Sequence, residues 1–133
     1  MAGLVLDTHA TIWYLEGSPR LSTRALSAIQ TALAAGDPVH VSTVTIVELT
    51  YLVEKGRFPV ALLDQLLHEL CRSVPELIVT PLDLEMAVEL RTISGAVVRD
   101  MPDRMIAATA VALGLPLVSR DRQILASGIA VIW

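Results

Sequence analysis

Cysteine is nearly absent from this 133-residue chain: Cys71 stands alone in LLHELCRSV. No intramolecular disulfide can form, and no CxxC or Cys/His zinc pattern exists. A domain of this length removes roughly two thirds of its unfolded surface from water, so a core suffices without such staples. A lone thiol also suits a reducing, cytoplasmic setting. Long apolar runs are missing too. The best of them, MIAATAVALGLPLV, is broken by Gly114 and Pro116 and falls short of the ~20 residues that cross a bilayer as a helix. No membrane association is expected. The opening MAGLVLD has no basic segment and soon reaches Asp7, unlike a secretory signal.

Aromatic residues make up only 4% of a sequence that is 53% hydrophobic, so the core must consist of Leu, Val, Ile and Ala. So large an apolar share in a short chain points to a protein partner over part of its surface. Lysine is scarce as well. Of ten basic residues only Lys55 is Lys, and fourteen acids bring the net charge to −4. That sum speaks against nucleic acid. The remaining basic residues are all Arg, however, and Arg grips phosphate in bidentate geometry. A phosphodiester substrate therefore stays open if cations offset an acidic site. No GxxxxGK phosphate loop occurs, and no Ser/His/Asp or Cys/His nucleophile arrangement stands out.

What is present alternates between short apolar runs and longer helical periods. GLVLD reads as a first strand, VHVS at 39–42 as a second, ELIVTP as a third, LPLVS as a fourth and AVIW as a fifth. Between them lie helical patterns at 21–36, 43–56 and 59–73, then at 83–95 and 101–114. Gly36, Gly56 and Gly114 close three of these. Strands that are apolar throughout and separated by helices predict a parallel sheet covered on both faces. The expectation is one three-layer α/β/α domain over residues 1–133, with a mostly parallel sheet of four to five strands.

Ligands of such sheets sit outside the carboxyl ends of the strands. Asp7 follows strand one and Asp121 strand four. Glu48, on a helix after strand two, and Asp103, early in a later helix, start from the same edge. Each acid has a plain alternative: Asp7 as a helix cap, Asp103 serving the first turn of its helix, Asp121 paired with Arg120 or Arg122, Glu48 in an ion pair. Collected at one rim they are harder to explain. Two carboxylates ~5 Å apart repel by about 3 kcal/mol at an effective dielectric near 20. Arg104, Arg120 and Arg122 are near enough in sequence to offset part of this, and Mg²⁺ does so more simply. Ser119 and Thr8 are placed to orient carboxylates. His9, early in a helix, reads as a packing or capping residue, and His40 and His68 as structural.

LVLDTHATIW, STVTIVEL, DMPDRMIAATA and LPLVSRD, in this order and followed by AVIW, resemble PIN-domain proteins of the VapC toxin type almost end to end. The resemblance implies a PIN-like fold and an endoribonuclease that uses Mg²⁺ or Mn²⁺. It also implies an antitoxin that silences the enzyme, and a homodimer. Carried over residue by residue, Asp7, Glu48, Asp103 and Asp121 take the four acidic positions. Asp7 and Asp103 would be direct metal ligands, while Glu48 and Asp121 would bind a second ion or act through water. This chain departs from the family where Met101-Pro102 precedes Asp103 in place of a frequent aromatic residue, and Asp100 adds a charge there. Ser119 stands where the family often has Thr. Two other readings remain: a phosphohydrolase using Asp7 as nucleophile, although His9 stands where such enzymes want a second Asp, and a non-catalytic α/β binding module.

Overall fold

Five parallel strands form the centre of the computed structural model, which describes residues 2–133; Met1, the start of the expected domain, lies outside them. The strands are β1 (Leu4–Leu6), β2 (Val39–Ser42), β3 (Leu77–Thr80), β4 (Leu117–Val118) and β5 (Val131–Ile132), in the spatial order β3-β2-β1-β4-β5. Their sequences dictate this burial. In β1 all three residues are buried, Leu4 and Leu6 toward one layer and Val5 toward the other. Successive side chains of a strand point to opposite faces, so an all-apolar strand requires cover on both.

The cover comes from helices α1 (Thr8–Glu16), α2 (Thr23–Ala35), α3 (Thr43–Glu54), α4 (Val60–Leu70), α5 (Leu84–Glu89), α6 (Met101–Leu113) and α7 (Arg122–Ala126). One layer packs Ile12, Ile29, Leu62 and Leu66 against β1 and β2. The other packs the small residues of α6 and Ile124 of α7 against Val5 and Leu117. Helix α3 belongs to neither alone: Leu49 enters the first layer, Val44 the second, and the helix touches α1, α4 and α6. It thus carries Glu48 between the layers. The expected α/β/α architecture with a parallel sheet is the one observed.

Two segments differ from the sequence expectation. The helix expected over 83–95 ends at Glu89 and tightens into a 3₁₀ turn, Leu90–Thr92. Ile93 then leaves the helical path and is buried. Arg104 holds this break, donating from Nε to Ile93 O at 2.8 Å and from an Nη to Leu90 O at 3.1 Å. Its guanidinium therefore serves backbone carbonyls; the expected relief of the acidic rim by Arg104 is not found. The second segment is α7, a five-residue helix that the sequence pattern did not reveal.

Candidate active site

The sheet order changes direction at β1, which has β2 on one side and β4 on the other. At such a switch point the loops leaving the two strands diverge and open a crevice at their carboxyl ends. Asp7 directly follows β1, and Asp121 leaves β4 after Ser119 and Arg120. A cleft of about 970 Å³ opens there, lined by Asp7, Glu48, Asp100, Asp103 and Asp121 together with Arg20, Arg120 and Arg122. The four acids expected from the sequence do line one cleft. A fifth, Asp100, joins them.

Three of the five are helix caps. Asp7 Oδ1 accepts from Ala10 N at 2.8 Å and starts α1. Asp121 Oδ1 accepts from Gln123 N at 2.7 Å and Ile124 N at 3.1 Å, starting α7. Asp100 Oδ2 accepts from Asp103 N at 3.2 Å and starts α6. Capping satisfies backbone donors that have no partner within the helix. It uses one carboxylate oxygen and fixes the side chain, so the other oxygen is held in place. Cap and ligand are compatible roles for one residue.

The rest of the cluster is not relieved in this way. Glu48 Oε1 is buried without a hydrogen-bond partner among the described residues. Glu48, Asp100 and Asp103 each bring a carboxylate oxygen within 4.8 Å of the other two. Asp103 is pushed up to about 8, first by burial and then by the charges of Asp100, Asp121, Glu48 and Asp7. Burial also raises Asp7, against the pull of the Ser119 hydroxyl, the Ala10 N–H and His9. No arginine neutralises the group: the only ion pair among the described residues is Arg72–Glu69, at 2.8 Å. An all-oxygen set with an unsatisfied buried oxygen and a carboxyl that holds its proton to neutral pH fits a hard divalent cation.

Several other expectations find their places. Ser119 is buried, and its Oγ accepts from Asp121 N at 3.0 Å, fixing the turn that presents Asp121. Thr8 reaches no carboxylate; its hydroxyl lies 3.2 Å from that of Thr45, both buried, and links α1 to the helix of Glu48. The alternative pairing of Asp121 with Arg120 or Arg122 is absent. His9 neither caps nor packs inside: it is exposed and lines the cleft, its ring 5.5 Å from that of Trp13. His40 is half-buried, with Nδ1 2.7 Å from Thr80 Oγ1. Asp100 and Arg20 were not singled out as site residues by the sequence. For Asp100 the signal was its spacing three residues before Asp103, one helical turn.

Residues 4–128 match the PIN domain family. Over 125 residues the chain is 32% identical to Ribonuclease VapC22 of Mycobacterium tuberculosis (strain ATCC 25618 / H37Rv), covering 93% of this chain and 91% of that protein. Its fold is similar to that in VapBC2 from Rickettsia felis bound to a promoter DNA fragment (TM-score 0.72, 14% identity, 98% and 97% of the two chains). It is equally similar to that in DNA-bound VapBC from Salmonella typhimurium (TM-score 0.72, 22% identity, 98% and 97%).

Proposed function

The chain belongs to the PIN domain family, and on that premise we propose that it is a Mg²⁺- or Mn²⁺-dependent endoribonuclease, the toxin of a type II toxin-antitoxin pair. The observation that carries this reading is the orphaned Oε1 of Glu48, enclosed beside Asp100 and Asp103 in a cleft that Asp7 and Asp121 also line. The choice of RNA, and of a cognate antitoxin as partner, is supported by the ribonuclease relative and by the VapBC complexes that share the fold. The single domain over residues 1–133 would act as a homodimer.

Glu48, Asp100 and Asp103 would hold the cation, with Asp7 and Asp121 as further oxygen donors. When bound, it supplies Lewis acidity toward a phosphate and lowers the pKa of attached water. The chain's own residues prepare the site. Asp103 would have to give up the proton that burial and its acidic neighbours hold to about pH 8. Asp7 and Asp121, each tied to its helix by one oxygen, stay in position as substrate enters. Ser119 fixes the Asp121 turn, and the Thr8–Thr45 contact fixes α3 under Glu48. Asp7 as a phosphoaspartyl nucleophile draws no support from a residue that is 5% exposed and already capping a helix.

Purified protein, freed of any antitoxin, should cut RNA internally in Mg²⁺ or Mn²⁺. EDTA, Asp7→Asn or Asp103→Asn should stop the cutting. Expressed alone it should arrest growth, and the neighbouring antitoxin gene should relieve the arrest. Intact RNA after incubation with folded wild-type protein and metal would overturn the proposal.

A further inference from the structure

We propose that Gln123 and Arg104 are positioning residues: they pin the two ends of the connector between the 3₁₀ turn and α6, residues 93–100, and so hold Asp100 in place. The use of that placement rests on the metal reading above; the pinning rests on hydrogen bonds and packing within the chain. Asp100 is the acid most in need of support. It is exposed, it ends a segment without helix or strand, and carboxylate oxygens of Glu48 and Asp103 lie within 4.8 Å of one of its own. Its cap to Asp103 N, at 3.2 Å, is longer than those made by Asp7 and Asp121. Like charges at this range push the freest member outward. Something besides the cap has to resist.

The connector is folded on itself in the middle, where Val98 N donates to Ser94 O at 2.9 Å and the Val98 side chain is buried in the second layer. Its ends are held by side chains from other elements. At the start, the Arg104 guanidinium binds the carbonyls of Leu90 and Ile93. Gly95 lies against that guanidinium: a Cβ at residue 95 would stand 3.2 Å from an Arg104 Nη. Gly95 is not in the left-handed region, so a side chain there would offend Arg104 and not the backbone. At the other end, Arg99 N donates to Gln123 Oε1 at 3.0 Å, and the N–H of Gln123 itself donates to Asp121 Oδ1 at 2.7 Å. Gln123 therefore joins the cap of α7 to the residue before Asp100. An amide suits this task, because it accepts from Arg99 N without adding a sixth negative charge to the five acids of the cleft.

The test is a double-variant cycle on the full chain, read by calorimetric titration with Mn²⁺ and by amide hydrogen exchange in EDTA. Gln123→Ala should weaken Mn²⁺ binding about tenfold, a usual effect of losing a residue that supports a ligand. It should also speed exchange at the Asp103 N–H, which the Asp100 cap protects, about fivefold. Gln123→Glu keeps the accepting oxygen and should hold both readouts near wild type. Gly95→Ala, pressing on Arg104 at the other end, should shift both in the same direction as Gln123→Ala. Gln30→Ala, on the exposed surface of α2, should change neither, and melting temperatures in EDTA identify any variant that has lost its fold. Asn can still cap α6, so in an Asp100→Asn background Gln123→Ala should cost little further Mn²⁺ affinity. The same loss in both backgrounds, or unchanged exchange at Asp103, would overturn the proposal. Gly95→Ala without effect would remove Arg104 from it. A wild type that binds no Mn²⁺, but whose Asp103 N–H loses protection in Gln123→Ala, would uphold the pinning and sink the metal reading.

Discussion

Asp103 sits at the third position of α6, where the positive end of the helix dipole favours a carboxylate. Burial and four neighbouring acids outweigh that and push it up to about 8. A carboxyl whose pKa is raised binds its proton more tightly folded than unfolded, so without metal the folded state loses stability as pH rises from about 4 toward 8. Asp103→Asn removes the cause. In EDTA near pH 8 the variant should melt at or above the wild-type temperature, while millimolar Mg²⁺ or Mn²⁺ should raise the melting point of wild type and not of the variant. A thermal-shift comparison decides this. A variant that melts well below wild type in EDTA would make Asp103 a structural acid.

Helix α3 is the element on which the candidate site depends, because it packs into both layers and Oε1 of its Glu48 has no hydrogen-bond partner among the described residues. Its position relative to α1 is set by the buried Thr8–Thr45 contact. Changing either residue to Val strands the other hydroxyl, and an unsatisfied buried hydroxyl costs about 1–3 kcal/mol. Changing both removes the problem. Denaturant unfolding should therefore show Thr8→Val and Thr45→Val each destabilising, with the double variant less destabilised than the sum of the two. Strict additivity would deny the contact its role. The threonines also mark the limit of the sequence reading. That Asp7, Glu48, Asp103 and Asp121 line one cleft was legible because strand and helix ends follow from apolar patterning, and β-α connections open at one edge. That Glu48, Asp100 and Asp103 form the tightest group was not legible, since it depends on the tilt of α3 against α6. Nor was Arg104's turn toward Leu90 and Ile93, a tertiary choice that charge proximity in sequence misreads. Helix α7 escaped notice because five residues carry less than two turns of apolar period.

Across the whole molecule, titrating groups pull stability in opposite directions. Asp7 and Asp103 are raised, so both favour the folded state at lower pH. His40 is lowered by burial, at a point where its ring joins β2 to Thr80 at the end of edge strand β3. A histidine with a depressed folded pKa is bound by protons more readily unfolded, so its contribution is present above the unfolded value near 6.5 and lost as pH falls below it. The acids and His40 thus oppose each other in the acidic range. Above about pH 6.5 the loss tied to His40 is past, whereas Asp103, pushed up to about 8, still holds its proton, and metal-free protein should lose stability up to about pH 8. A bound cation would reverse that limb, because it would have to displace the protons and would bind better as they leave. The melting temperature in EDTA should fall over this interval, and with Mg²⁺ or Mn²⁺ it should hold or rise. Replacing His40 with Gln should leave the alkaline limb alone, and the stability gap between variant and wild type should shrink as pH drops below about 6.5. A gap that stays constant with pH would show that His40 does not titrate differently in the folded state, and an EDTA profile that is flat above neutrality would remove the acid cluster as the source of the coupling between protons, metal and fold.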